Sequence, residues 1–325
     1  MATHPLYGSP DVFEVRVPVA TLWTSPDAPR DIDAAAVQDE PDVAGWAAAM
    51  DAGLPTGMRE GLNGRTLTQL LLGEAVQVLE EQGDWVRVVS LFQPSSKHTL
   101  GYPGWMRRAH LGAPVMRTTG ATAFVVTRTA VCTLEDDRLA ELSFGTALWV
   151  EDVTEESVGV LLPGNRHGSI ALSNVRLSHK EQQPAYGTDD ILDTARQFLG
   201  MRYLWGGNCA WGLDCSGLVH LTYRAQGVVV PRDACDQAEV AVPVGVDDAE
   251  PGDLYFFANP GEQVSHVGFV TGPVDSDGAR WMLHAPGGGQ FIKDAPMTAS
   301  RVQTLVSAGR GRKPNDDRRH LNVKL

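Results

Sequence analysis

Tyr203-Leu-Trp-Gly-Gly-Asn-Cys-Ala-Trp-Gly-Leu-Asp214-Cys215-Ser216-Gly217 is the stretch on which the reading of this chain turns. A cysteine stands between Asp214 and Ser216, and the apolar residues Leu218, Val219, Leu221 and Ala225 follow it at helical spacing. Gly227 comes next, a stop just past a helix end. A helix that begins at Cys215 places the thiol at the positive end of the helix dipole. Free backbone N–H groups point there and favour the thiolate, which is a nucleophile. An arbitrary cysteine is more often buried and inert, so the context has to decide.

Two histidines downstream supply that context. His266 lies in Val-Ser-His-Val-Gly-Phe-Val, an alternating apolar run that reads as a strand. His284 lies in Trp-Met-Leu-His-Ala-Pro, a short apolar stretch stopped by Pro286 and the glycines at 287 to 289. Only a folded domain brings either one to Cys215. A cysteine, a general base and a third group that orients the base is the logic of thiol hydrolases. The chain has 9 histidines, so this trio carries little weight alone.

The blocks around the trio make the pattern specific. Tyr203-Leu-Trp205-Gly206-Gly207, Asp214-Cys215-Ser216-Gly217, Pro231-Arg232-Asp233, Pro251-Gly252-Asp253-Leu254, Ser265-His266-Val267-Gly268 and His284 occur in one order. Over about residues 186 to 310 this resembles the NlpC-type family of papain-like bacterial cell-wall peptidases. The resemblance implies Cys215 as nucleophile, His266 as base, His284 as the group that orients the base, and Tyr203 as support for the oxyanion region. The chemistry agrees with those roles. His266 would form an ion pair with the thiolate, with His284 fixing its tautomer from the other ring nitrogen. The Cys215 N–H and the Tyr203 hydroxyl would stabilise the tetrahedral oxyanion.

Composition narrows the class further. At 325 residues the chain exceeds one typical domain, and 43% apolar content leaves room for real cores. A net charge of −13 disfavours nucleic acid and anionic lipid as partners. The local basic cluster Arg310, Arg312, Lys313, Arg318 and Arg319 reads as a solvated tail. Four cysteines (132, 209, 215, 235) are too few for a disulfide framework, and Cys209-x5-Cys215 lacks zinc-site spacing, so no metal or organic cofactor is expected. No apolar run approaches a membrane span, and the first ten residues lack the basic and apolar regions of a signal peptide. The expected location is cytoplasmic, and periplasmic or secreted only if a leader was removed.

Upstream, Leu70 to Val88 reads as strand–turn–strand. Val76 and Val78 alternate with polar residues, Gly83-Asp84 turns the chain, and Trp85, Val86 and Val88 resume. Gly101-Tyr102-Pro-Gly-Trp105-Met adds a short strand, and Val15 to Trp23 is expected to open the unit. The Gly-Asp-Trp and Gly-Trp strands resemble a bacterial SH3-like barrel. Residues 33 to 60, with Val43, Ala44, Trp46, Ala47 and Met50, read as a helical insertion into it. A second β-rich unit follows at Thr122 to Val131, Leu142 to Val153 and Gly159 to Leu162, with Ser169 to Ser173 as its expected last strand. Its Arg128-Thr-Ala-Val-Cys-Thr is similar to Val19-Ala-Thr-Leu-Trp-Thr in the first, which suggests a second SH3-like barrel. Ser178 to Tyr186 reads as a linker, and Thr188 caps a helix with Ile191, Leu192, Ala195, Phe198 and Leu199 on one face. The expected fold is therefore α+β. Residues 1–115 form the first barrel with an insertion at about 33–60, residues 116–180 the second, and residues 185–325 a papain-like NlpC-type domain.

Two such barrels before an NlpC-type domain resemble the γ-D-glutamyl-diamino-acid endopeptidases that trim free murein peptides. That resemblance implies a first barrel that restricts the cleft and helps hold the free amine of an N-terminal L-alanine. By motif position it assigns amine recognition to Glu74 and Tyr102 from the barrel and to Asp214 and Asp233 beside the cysteine. A buried ammonium needs such acceptors. Trp205 and Ser216 are expected to shape the pocket. Relatives often have Pro-Arg-Thr-Ser where this chain has Pro231-Arg232-Asp233-Ala234-Cys235, and the unusual Cys235 is expected to be an inert buried thiol. The expected substrate is a small murein peptide, L-Ala-γ-D-Glu-diamino acid, whether diaminopimelate or lysine. The alternatives are a peptidase or amidase acting on intact wall stems, and a non-catalytic module that binds wall peptides.

Overall fold

The structure, a computed structural model, describes residues 6, 8–52, 59, 61–116, 120–179 and 188–311. Strands β1 (Val12–Val15), β2 (Val19–Trp23), β3 (Thr66–Leu71), β4 (Ala75–Gln82), β5 (Trp85–Ser90), β6 (Tyr102–Arg107) and β7 (Leu111–Gly112) form a seven-stranded sheet in the order β3-β2-β6-β5-β4-β1-β7. Alternation places its side chains: Val86 and Val88 of β5 go inward with Arg87 outward, and every second residue of β6 is buried. Gly83, at φ 58°, takes the first central position of the two-residue turn between the paired Gln82 and Trp85, where an L side chain would be strained. The single strand expected over Val15 to Trp23 is two, broken at Arg16–Pro18, where Pro18 has no N–H to give to a ladder.

Between β2 and β3 lie a 3-10 turn (Asp31–Ala36) and helix α1 (Val43–Asp51), capped by the Asp42 side chain on Gly45 N. The rest of the expected insertion, at 53–58 and 60, lies outside the described residues. Trp46 is buried, with its ring 6.1 Å from that of Trp23 and its Nε1 donating to Asp33 at 2.9 Å.

Strands β8 (Ala121–Val125), β9 (Thr129–Leu134), β10 (Leu139–Ser143), β11 (Ala147–Val153), β12 (Ser157–Leu162), β13 (Arg166–Ala171) and β14 (Val175–His179) form a second seven-stranded sheet, ordered β10-β9-β13-β12-β11-β8-β14. That is the order of the first sheet repeated. The related sequences at Val19 and Thr129 open corresponding strands, β2 and β9. The last strand of this sheet is β14, not Ser169 to Ser173. The chain leaves β13 at Ala171 and makes a 3-10 turn over Leu172–Asn174 first. The expected linker falls mostly outside the described residues.

Helix α2 (Thr188–Arg196) buries Ile191, Leu192 and Ala195, and Phe198 packs just beyond it; the helix stops short of Leu199, which is exposed. The hairpin β15 (Asn208–Cys209) and β16 (Gly212–Leu213) leads into α3 (Cys215–Ala225), followed by α4 (Ala234–Val240). Strands β17 (Val242–Val244), β18 (Leu254–Phe257), β19 (His266–Val270), β20 (Trp281–His284) and β21 (Lys293–Pro296), helix α5 (Ala299–Thr304) and strand β22 (Leu305–Arg310) follow among the described residues. The strands form a six-stranded antiparallel sheet, ordered β17-β22-β18-β19-β20-β21. Helix α3 lies across β19, and Leu218, Val219, Val267 and Phe269 belong to one apolar core that also takes in Trp46 and Phe144. Phe144 of the second sheet meets Phe198 edge-on at 5.2 Å. At about 1.5–3 kcal/mol for each large apolar side chain buried, this shared core holds the three sheets together. Of the expected basic cluster, Arg310 is ion-paired with Asp253 and Glu250, and the others lie outside the described residues.

Candidate active site

Cys215 is the first residue of α3, and the Asp214 carboxylate caps that helix by accepting from Gly217 N at 2.6 Å. The glycines of the motif bring the chain close. A Cβ on Gly217 would lie 2.2 Å from the Gly207 carbonyl, so only glycine fits there. Behind this turn lies Arg232, which the sequence reading quoted only as part of a motif. It is fully buried and forks onto both Asp214 oxygens at 2.9 and 2.7 Å. It also donates to Ser216 Oγ, to Gly207 O and, from Nε, to Thr68 Oγ1 in the first sheet at 2.8 Å. One guanidinium thus ties the helix start, the glycine turn and β3 together.

The two histidines stand on neighbouring strands, β19 and β20. His266 Nε2 lies 2.8 Å from His284 Nδ1 in a buried hydrogen bond, and the rings meet edge-on. With the proton on His266 Nε2, its Nδ1 is left free to act as a base. Burial pushes the Cys215 thiol up to about 12 and the Asp214 charge adds to it, against the N–H groups of Val267 and Ser216 and the charge of Arg232. Burial, then Arg301 and His284, holds His266 well below the usual histidine value. His284 is held down to about 3 by burial, with Arg301 and Lys293. Burial in the empty cleft therefore favours the neutral form of both partners. Burial thus opposes the ion pair expected from the helix dipole, while the N–H groups of Val267 and Ser216 and the charge of Arg232 favour it. Arg301 on α5 is a further charge the sequence reading missed; it lies over the Phe257 ring and donates to Pro286 O.

Cys215 opens into a cavity of about 320 Å³. Tyr203, Trp205, Asp214, Ser216 and Asp233 line it from the expected blocks, and Tyr102, Lys97, Thr66 and Leu67 from the first sheet and its loops. Tyr203 remains a phenol at neutral pH, since burial raises it well above the usual tyrosine value and the Asp214 charge adds to this. The first sheet also holds the motif backbone. Thr66 Oγ1 donates to Trp205 O at 2.9 Å, Arg59 to Tyr203 O at 3.1 Å, and Asn208 N donates to Gln69 Oε1 at 3.0 Å. Tyr102 donates its hydroxyl to Asp233 at 3.1 Å and accepts from Lys97 Nζ at 2.6 Å.

Glu74 is elsewhere. It is absent from the cavity wall and fully buried, with one oxygen on Arg224 of α3 and the other 3.4 Å from Gln93 Nε2. A carboxylate neutralised beneath the sheet does not reach a substrate amine, so the expected role for Glu74 is corrected to an anchor of α3. Asp214, likewise committed to Arg232 and to the helix cap, meets the cavity mainly as structure. Cys235 is only half-buried and lines the same cavity as Cys215, contrary to the expectation of a buried thiol. Asp233, Cys235 and Asp236 bring three possible metal-ligand atoms within 4.8 Å of one another. All three are already engaged, Asp233 by Lys97, Asp236 by Ser96 N and Cys235 by its Sγ donating to Asp236 Oδ1 at 3.7 Å.

Comparison with known proteins adds to this geometry. The sequence profile of the NlpC/P60 family matches residues 200–310. The gamma-D-glutamyl-L-lysine dipeptidyl-peptidase of Bacillus cereus is 30% identical over 310 residues, which cover 91% of this chain and 90% of that protein. The protein of the same description from Bacillus subtilis is 34% identical over 295 residues, covering 90% and 96%. The crystal structure of an NlpC/P60 family protein from Bacillus cereus superposes with a TM-score of 0.86 at 29% identity, over 92% of this chain and 99% of that one.

Proposed function

The chain belongs to the NlpC/P60 family and is a cysteine peptidase, and from that premise we propose that it cuts the γ-D-glutamyl–diamino acid bond of peptides with a free N-terminal L-alanine. Cys215 attacks the γ-carbonyl, His266 takes the thiol proton and passes it to the leaving amine, and water then hydrolyses the thioester with His266 as base. His284 orients His266, while Cys215 N–H and the Tyr203 hydroxyl receive the oxyanion. Trp205 and Ser216 shape the wall beside the thiol. A neutral thiol–imidazole pair suits this sequence, because proton transfer accompanies attack instead of preceding it.

The observation that carries the substrate assignment is a pair of acceptors in the cleft. Asp233 and Tyr102 converge there in the cavity that holds Cys215, a carboxylate and a phenol oxygen placed to receive an ammonium. The relatives are described as dipeptidyl-peptidases, enzymes that count two residues from a free terminus, which favours lysine after the γ-D-glutamate. Free peptides of this kind place the enzyme in murein recycling, since a stem still joined to wall sugar has no such ammonium. We read the two seven-stranded sheets, in residues 1–115 and 116–180, as SH3-like barrels before a catalytic domain at 185–325. Their common strand order supports that. The test is to incubate the protein with L-Ala-γ-D-Glu-L-Lys and its meso-diaminopimelate counterpart and identify products by mass spectrometry. Release of L-Ala-γ-D-Glu is expected, with none from Cys215→Ala. Cleavage at another bond would overturn the assignment.

A further inference from the structure

The cleft that is to receive a substrate ammonium already holds one. Two carboxylates line the cavity, and Asp214 is committed to the buried Arg232. The other, Asp233, is bound by the ammonium of Lys97, which also donates to Tyr102 Oη at 2.6 Å and sits 4.3 Å from the centre of the Tyr102 ring. The groups assigned to the substrate amine are thus the groups that hold Lys97.

The loop that presents Lys97 is fixed at several points. Arg232 N donates to Pro94 O at 3.0 Å, Ser96 N to Asp236 at 2.9 Å, and Lys97 N to Ser95 Oγ at 3.2 Å. Its side chain is 44% exposed, a flexible stem with a free path into water. We propose that Lys97 is a tethered counter-ion that occupies the amine subsite of the empty cleft and is displaced by the N-terminal ammonium of the substrate. This rests on the free-amine reading above. Two ammonium groups cannot share Asp233 without repelling each other, so one leaves when the other arrives. An acylated N-terminus offers no charge in exchange for Lys97, and the pocket stays closed by its own ion pair. Lys97 therefore weakens binding of the right substrate somewhat and of blocked peptides more, which makes it a determinant of specificity.

The experiment compares wild type, Lys97→Met and Lys97→Arg in the full chain, using L-Ala-γ-D-Glu-L-Lys and its N-acetyl form. Lys97→Met should lower KM for the free peptide by about two- to fivefold at unchanged kcat, the range of a half-exposed ion pair. Lys97→Arg, which keeps the cation, should leave KM at or above the wild-type value. An unchanged KM in Lys97→Met would overturn the proposal. A raised KM would do so too, by making Lys97 a ligand for a substrate carboxylate. Equal wild-type rates on free and acetylated peptides would overturn the free-amine reading and this inference together, whereas a selective wild type with an indifferent Lys97→Met defeats this inference alone. Melting curves check that the variants fold, and Lys97→Gln serves if Lys97→Met aggregates.

Discussion

Replacing Arg232 with methionine, close in length but without charge, removes the group that ties the nucleophile helix to the first sheet. The wild-type guanidinium makes five side-chain hydrogen bonds, two of them to the Asp214 carboxylate, and is 0% exposed. Breaking a buried pair from one side leaves the other charge uncompensated and costs about 3–5 kcal/mol. At about 2–4 °C per kcal/mol for domains of this class, the melting point should fall by roughly 6–20 °C. Much of that loss belongs to the stranded Asp214 carboxylate. Adding Asp214→Asn to Arg232→Met should therefore restore part of it, and a double-mutant cycle should return a coupling of about 1.5–3 kcal/mol. Urea unfolding of the four proteins supplies the cycle. A loss below about 1 kcal/mol in Arg232→Met, or additive single losses, would refute the account of Arg232 as the clamp.

Glu74→Gln should lower stability while reducing kcat/KM on free and N-acetylated peptides by the same factor, because its carboxylate faces Arg224 and not the cleft; a loss confined to the free peptide would return it to the amine site. Stability should also decline as pH falls from 6.5 towards 4. His110, His220, His266 and His284 are all depressed by burial, to about 4 for His110 and about 3 for His220 and His284, so the unfolded chain binds protons that the folded one refuses. Each should remove about 1.4 kcal/mol per pH unit over that window, its contribution being complete above 6.5, and a urea midpoint that stays constant or rises there would contradict it. Alkylation of Cys215 by iodoacetamide should keep accelerating with pH well above 9, since the thiol is pushed up to about 12; a plateau near neutral pH would show a resting thiolate instead.

What could be read from the sequence was what is local. The alternation in Trp85–Ser90 and Tyr102–Arg107 marks strands because one face of each is buried. Cys215 is legible as a helix start because Asp214, Gly217 and the apolar spacing all lie within a few residues. His266 and His284 needed only two strand signals, and the sheet then sets them side by side. The misplacements come from partners far apart in the chain. Glu74 looked like a rim carboxylate until Arg224, 150 residues on, claimed it. Arg232 looked like a motif letter until Thr68 and Asp214 closed around it. Lys97 carried no signal, because its meaning depends on Asp233, 136 residues away. The environment of the thiol was hidden for another reason: a helix dipole can be read from spacing, but the burial that opposes it cannot.

The central claim, a cleft in which Asp233 and Tyr102 receive a free amine, is tested most directly by one ratio. It is kcat/KM of the wild type on L-Ala-γ-D-Glu-L-Lys divided by that on the same peptide acetylated at its N-terminus. An acetylated terminus leaves Lys97 on Asp233, so what is lost is one charge-assisted bond, about 1.5–3 kcal/mol, and a ratio of roughly ten to a hundred is predicted. A ratio near one would contradict the account and point to an enzyme of the intact wall.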